Sequence, residues 1–215
     1  EMNDQVNQIN PGYISSINGS ILEVKALKNP SVGHMVEIGE DLHLIGEILK
    51  IIDDRSIVQC YEETDGLPLH SKVYNSENLL SMELGPGLLK SIYDGIQRPL
   101  DILAEKTGDF IRRGVSANSL NYKKKWNFKP LVNEGDQVYE GDIIGVVSEY
   151  SKDHFIMLPP GNSGIVSKIA EGPFTVKENV YQIKGKNGKK NFTMMTKWPI
   201  RKHRPYKRRL LPDKP

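Results

Sequence analysis

The chain has 215 residues, 29 Lys and Arg against 27 Asp and Glu, a formal net charge of +2 and one cysteine. That length and balance fit a globular chain with one large core or two small ones. They leave no disulfide framework, and no apolar run approaches the roughly 18–20 residues that a spanning helix needs.

Glu1 to Asn10 is polar and lacks the apolar centre of a signal peptide. From about Tyr13 the pattern turns to short strands. Ile14, Ile17, Ile21, Leu22, Val24 and Ala26 form two β-rich runs hinged at Asn18-Gly19, a strong hairpin signal. Asn29-Pro30 and Gly33 mark a turn. Met35–Ile38 reads as a strand ended by Gly39, and Leu42–Ile52 as a longer one closed by Asp53-Asp54. Ser56–Tyr61 is another strand, in which Cys60 is expected as a buried small apolar residue in a reducing, cytosolic setting. Thr64-Asp65-Gly66 turns the chain before Leu79–Leu84. Such spacing predicts a six- or seven-stranded β-barrel over residues 1–82.

Residues 83–109 read as a short helical linker. Gly85-Pro86-Gly87 breaks the strand, and Pro86 can open a helix because its φ is pre-set. Leu88, Ile92 and Ile96 recur at four-residue spacing beside Leu89 and Tyr93, which predicts one apolar helical face. Asp94 and Arg98 then stand as an exposed i,i+4 pair contributing about 0.3–0.5 kcal/mol. Pro99 opens a second helix carrying Leu100 and Leu103, with Gly108 as its stop.

Residues 110–196 form a second β-rich block with an approximate internal repeat. Val132 to Ile144 and Ile169 to Tyr181 each run from an apolar residue through Glu-Gly and a valine to a turn and an apolar strand. Two quasi-symmetric halves of this kind predict a barrel-sandwich hybrid, so the fold class is mainly β. In residues 197–215, Lys197, Arg201, Lys202, Arg204, Lys207, Arg208 and Arg209 have almost no acidic neighbours. Pro199, Pro205 and Pro212 interrupt the run, and it lacks the aromatic interleaving of a base-stacking surface. A partner-facing or solvated connector is the better reading than a nucleic-acid site through Arg201 to Arg209.

The search for chemistry returns few candidates. No phosphate-loop string occurs; Gly185-Lys186-Asn187-Gly188-Lys189 reads as a polar turn. His34, His43, His70, His154 and His203 are scattered without metal-ligand spacing. Glu62, Glu63 and Asp65 read as solvated acids in a turn. The sandwich repeat brings one rival class: biotinyl and lipoyl carriers hold their prosthetic group on a hairpin-tip lysine, and Lys152 in Ser148-Glu149-Tyr150-Ser151-Lys152-Asp153 occupies that place without the flanking residues of either carrier.

The string Gly85-Pro86-Gly87, then Ile92-Tyr93-Asp94-Gly95-Ile96-Gln97-Arg98-Pro99-Leu100, strongly resembles the catalytic A subunit of V-type and A-type rotary ATPases. Further family strings are Tyr61-Glu62-Glu63-Thr64 with Gly66-Leu67, Arg113-Gly114-Val115, Trp126-x-Phe128, Gly141-Asp142-Ile143-Ile144-Gly145, Pro159-Pro160-Gly161, and Trp198-Pro199-x-Arg201. The resemblance implies a barrel in the crown of an alternating A and B hexamer, and a protruding bulge insertion that contacts the peripheral stalk. It implies structural roles for Gly85, Pro86, Gly87, Asp94, Gly95, Gln97, Arg98, Pro99, Trp198 and Pro199. It also implies that the family's phosphate loop and catalytic glutamate, which bind and act on Mg-ATP, follow the stretch seen here, so no catalytic, cofactor or metal residue is expected within it. The parent function is ATP hydrolysis or synthesis coupled to proton or sodium transport. The expected location is cytoplasmic, reaching the membrane only through the complex, with no nucleic-acid partner. Pro159-Pro160-Gly161 and the short N-terminal region lean toward an archaeal or bacterial branch.

Overall fold

The computed structural model describes residues 10–108 and 112–204. The chain divides into two compact units, one made of residues up to Ser81 with Ile92–Ala117, the other of Met82–Ser91 with the chain from Asn118 onward. The division falls inside the Gly-Pro-Gly stretch, which contributes residues to both units. Phe110, where the second block is expected to begin, lies outside the described residues, as do Pro205, Lys207, Arg208, Arg209 and Pro212 of the basic run.

The first unit is a closed antiparallel barrel of six strands: β1 (Gly12–Asn18), β2 (Ile21–Lys25), β3 (His34–Ile38), β4 (Leu44–Ile52), β5 (Arg55–Cys60) and β6 (Lys72–Leu79). They run β1-β2-β5-β4-β3-β6, and β6 returns to pair with β1. Alternation sends Leu22 and Val24, Val36 and Ile38, and Ser56, Val58 and Cys60 inward, where Ile14, Leu44, Ile48 and Val73 complete the core. The Asn18-Gly19 signal becomes a two-residue hairpin loop, Asn18 pairing with Ile21, with Gly19 at φ +58°. Ile52 pairs with Arg55 across the Asp53-Asp54 loop in the same way. β6 closes the barrel yet has no counterpart in the sequence reading. Its run Lys72-Val73-Tyr74-Asn75-Ser76-Glu77-Asn78-Leu79 buries only Val73, so there was no apolar alternation to find.

Only one of the two expected helices forms. It is α1 (Leu100–Thr107), with Pro99 at its N-cap and Gly108, at φ +76°, returning its N–H to Ala104 O at its end. Leu103 is fully buried. The residues from Gly85 to Arg98 contain no helix, and Ile92, placed on the expected apolar face, is 72% exposed.

The first strand of the second unit is β7 (Ser81–Leu84, in the unit from Met82) and the last is β16 (Thr196–Pro199), and these two form their own small sheet. Between them lie β8 (Lys125–Pro130), β9 (Gln137–Val138), β10 (Ile143–Glu149), β11 (Lys152–Met157), β12 (Gly164–Ile169), β13 (Gly172–Thr175), β14 (Asn179–Gly185) and β15 (Gly188–Thr193). One four-stranded sheet runs β11-β10-β8-β13 and the other β15-β14-β12-β9. Each half of the repeat therefore builds three strands of one sheet and lends its remaining short strand to the other. The turns match as well. Tyr139 N–H donates to the Asp142 carboxylate, and Thr175 N–H to that of Glu178. The corresponding turns are one residue out of step with the alignment of the two sequence strings. Phe128, Ile144, Val147, Leu158, Val166, Val176 and Val180 fill the space between the sheets, with Tyr181 stacked on Phe192 at 5.0 Å.

Gly145 is where β10 crosses closest to β8. A Cβ there would lie 2.4 Å from the Phe128 ring and 2.8 Å from Lys129 O. Phe128 is fully buried and has no free volume to move into. We expect Gly145→Ala to destabilise this unit by about 1–3 kcal/mol, seen as a lower urea midpoint by the fluorescence of Trp126 and Trp198. An unchanged midpoint would show that the ring yields without cost.

Candidate functional site

In the first unit, three separated family strings meet at Arg98. Its Nε donates to Asp94 Oδ2 at 2.7 Å, and its Nη1 donates to Glu62 Oε1 at 2.6 Å and to Val115 O at 2.9 Å. The other Glu62 oxygen accepts from Gly114 N–H at 3.1 Å. The side chains of Arg98 and Glu62 are 12% and 7% exposed. Burial alone lowers the pKa of the guanidinium, but hydrogen bonds and charge from Asp94 and Glu62 outweigh it and raise it above its ordinary value. Arg113 Nη1 donates to Glu63 O at 3.2 Å and also to Asp65 O. Glu62 is thus a buried partner of Arg98 and not a solvated acid.

Asp94 explains why the preceding helix is missing. Its Oδ1 accepts from Ile96 N–H at 3.1 Å and Arg98 N–H at 2.8 Å, while Asp94 N–H donates to Arg98 O at 3.1 Å. The side chain takes up backbone donors that a helix would have used, and Gln97 adopts φ +63°. The chain doubles back so that Tyr93 bridges Pro99. Asp94 and Arg98 therefore pair as expected but in a closed loop, with side chains 17% and 12% exposed, not on a helix surface. Gln97 is 6% exposed and Pro99 is buried. Gly95 has no positive φ and open space at its Cβ position, so nothing in this structure requires glycine there. Gly114 is different: φ is +71° and a Cβ would lie 1.9 Å from Leu42 O.

In the second unit, the Gly85-Pro86-Gly87 string is held by a residue far along the chain. Glu149, fully buried at the end of β10, accepts from Gly87 N–H at 2.9 Å and Leu89 N–H at 3.1 Å through Oε1. Its Oε2 lies 3.1 Å from His154 Nδ1. Gly85 approaches Met194 O so closely that a Cβ would sit 3.2 Å away, and Gly87 takes φ +113° beside Trp126. At the other end, Trp198 is buried and its Nε1 donates to Lys202 O at 2.7 Å. Pro199 O accepts from Lys202 N–H at 3.0 Å. Lys202 and Arg204 lie 5.9 and 5.5 Å from the Trp198 ring, so the described part of the basic run folds back on an indole.

Lys152 is exposed but is not the hairpin tip. It is the first residue of β11, paired with Glu149, and the tip is Tyr150-Ser151. Gly185 pairs with Gly188 around Lys186-Asn187, the polar turn expected of that string. Cys60 faces the barrel core at 3% exposure, and burial raises its thiol pKa. Among the described residues, no group of three or more His, Cys, Asp or Glu side chains is disposed to hold a metal ion, and no helix is long and apolar enough to cross a membrane. What these residues do is fix backbone. Sequence reasoning found Asp94, Arg98 and the glycines but missed Glu62 and Glu149, because both act across long sequence separations.

A six-stranded barrel followed by a barrel-sandwich is the pair of modules found in the ATP synthase alpha/beta family, and each unit matches its family model. Residues 14–77 match the alpha/beta family beta-barrel domain, and residues 117–201 match the alpha/beta subunit barrel-sandwich domain. The chain is 47% identical over 206 residues to the V-type ATP synthase alpha chain of Thermoanaerobacter sp. (strain X514), covering 95% of this chain and 35% of that one. It is 44% identical over 207 residues to the A subunit of the A-type ATP synthase of Methanopyrus kandleri, again 95% of this chain and 35% of that protein. The corresponding protein of Pyrococcus abyssi is 46% identical over 207 residues, which is 20% of its length. The chain belongs to the V-type/A-type ATP synthase alpha (A) chain family, of which it carries the barrel and barrel-sandwich domains. It spans about a third or less of the length of these relatives. The matching models are those of ATP synthase chains, and the carrier reading of Lys152 finds no support.

Proposed function

We propose that the chain serves as the barrel-and-bulge portion of the catalytic A subunit of a V/A-type rotary ATPase, which couples ATP hydrolysis or synthesis to proton or sodium transport. In this reading the barrel joins a crown of alternating A and B subunits. The barrel-sandwich unit makes stalk contacts, and neither unit binds Mg-ATP. The assembly works at the cytoplasmic side, with the membrane reached only through the complex. The observation that carries the reading is the roughly 45% identity that runs through both units to proteins named as ATP synthase alpha or A chains. The Arg98 node supports it, because a barrel whose loops are pinned by buried ion pairs is a rigid element around which a ring can close.

The test is co-purification with the B subunit from the same organism, read by light scattering, together with calorimetric titration of this chain with Mg-ATP. A discrete complex and no heat of ATP binding are expected. Micromolar ATP affinity, or no complex at any stoichiometry, overturns the reading.

A further inference from the structure

The second unit carries a cluster of lysines that its ion pairs do not use. Lys90 Nζ lies 4.1 Å from the ring centre of Tyr150. Lys124 Nζ lies 6.0 Å from the same ring and 3.9 Å from the Trp126 ring. Lys177 Nζ lies 3.7 Å over Tyr122, the residue preceding Lys123. Lys125 is paired across strands with Thr175 and lies close enough to Glu178 to help lower its pKa. All five lysines are exposed, and none takes part in the salt bridges found among the described residues.

Three neighbouring carboxylates hold other hydrogen bonds, and of these Glu178 also feels a lysine of the cluster, Lys125. Glu149 is buried on Gly87, Leu89 and His154. Glu83 accepts the Tyr122 hydroxyl. Glu178 accepts Thr175 N–H, which is the main reason its pKa is lowered. Beneath Lys124, the Trp126 indole N–H is buried with no acceptor. Two ammonium groups 4.1 and 6.0 Å from the centre of one tyrosine ring lie within about 10 Å of each other and repel, and an anion between them relieves that repulsion. Stacking on aromatic faces also holds the lysines in place, which lowers the entropy lost on binding.

The repeat provides an internal comparison. The sister hairpin of β14 and β15 turns at Lys186-Asn187, with no aromatic ring at its tip; its Lys184 and Lys189 face each other, and its one lysine–ring contact among the described residues is Lys190 at 5.4 Å from the Phe192 ring, within β15. Tyr150, the ring that Lys90 and Lys124 share, therefore has no counterpart at the tip of the sister hairpin.

We propose that Lys90, Lys124 and Tyr150, flanked by Lys123, Lys125 and Lys177, form a docking surface for an acidic polypeptide segment with carboxylates one helical turn apart. Carboxylates at i and i+4 of a helix, about 5–6 Å apart at Cβ, can each reach one of two ammonium groups that flank Tyr150, Lys90 directly and Lys124 from the Trp126 ring beside it. A nucleic-acid strand fits less well. Base stacking needs a free aromatic face, whereas Lys90, Lys124 and Lys177 already lie against the rings of Tyr150, Trp126 and Tyr122. The surface stands on its own chemistry and does not require the hexamer.

The experiment is fluorescence anisotropy on the full chain at low and at physiological salt. The probes are a labelled helical peptide with glutamates at i,i+4, a single-stranded 15-nucleotide DNA, and vesicles containing phosphatidylserine. We expect salt-sensitive peptide binding that weakens at least tenfold in the Lys90→Gln/Lys124→Gln chain and less than twofold in Lys184→Gln/Lys189→Gln, which removes the same charge. The proposal is overturned by no peptide binding, by equal losses in the two double variants, or by tighter binding of the DNA or the vesicles through Lys90 and Lys124. Every substituted side chain is exposed, and circular dichroism checks that each variant folds.

Discussion

Replacing Arg98 by leucine is expected to destabilise the barrel unit by about 3–5 kcal/mol, the range for removing one partner of a buried ion pair. Two carboxylates, Glu62 and Asp94, would lose their cation together, at side-chain exposures of 7% and 17%. Val115 O would lose its donor as well. The measurement is urea unfolding followed by far-ultraviolet circular dichroism, with amide exchange at residues 61–66 as the local readout. Arg98→Lys keeps the charge but cannot reproduce the fork that reaches Asp94 through Nε and Glu62 through Nη1, so it should fall between wild type and leucine. In the double variant with Glu62→Gln the losses should not add, because each single change leaves the other group uncompensated. A loss under 1 kcal/mol for Arg98→Leu would mean that water already reaches the node and that the three strings are not energetically joined.

Glu149→Ala is expected to cost the second unit about 2–4 kcal/mol. The fully buried carboxylate accepts two part-buried backbone N–H groups that have no other partner among the described contacts; a buried donor left orphaned costs roughly 1–3 kcal/mol, and the emptied space beside β10 adds to the loss. The Gly87 position lies against the Trp126 indole, with a Cβ there only 3.5 Å from the ring, so indole fluorescence should report loosening of the loop. Exchange at the Gly87 and Leu89 amides should accelerate before that of the sheet amides. Glu149→Gln keeps an acceptor oxygen and should lose only about 1 kcal/mol. If glutamine proved as damaging as alanine, the charge facing His154 would matter more than the hydrogen bonds to the loop.

Both predictions turn on a carboxylate whose role was hidden in the sequence, Glu62 opposite Arg98 and Glu149 opposite Gly87, because each acts across a long separation. Period-two alternation exposed β2, β3 and β5, and Asn18-Gly19 exposed the first hairpin, because those signals are local. The string at Leu88, Ile92 and Ile96 carried an equally regular helical spacing. It failed because the competing interactions were a side chain bonding its own backbone, at Asp94, and a buried carboxylate 62 residues away from Gly87, at Glu149. Spacing can show which faces are apolar but not which hydrogen bonds win. β6 escaped notice from the opposite cause. Its pairing with β1 and β3 is fixed by barrel closure, so its own residues needed little apolar character. Asp94, Arg98 and Trp198 make side-chain hydrogen bonds, and Gly87 donates to Glu149 at a positive φ, whereas a Cβ at Gly95 would meet nothing within 4 Å.

The exchange of short strands between the halves of the second unit governs when that unit can first exist. β9 belongs to the early half but completes the sheet of β12, β14 and β15, while β13 belongs to the late half and completes the sheet of β8, β10 and β11. On a ribosome, the early half therefore emerges with one sheet edge unfilled and its core residue Phe128 without the Gly172 that pairs with it. Final closure of both sheets waits until the chain has passed Thr193, the end of β15. Synthesis at about 5–20 residues per second leaves such an intermediate waiting for several seconds. During that time the barrel, whose strands end at Leu79, can already have closed.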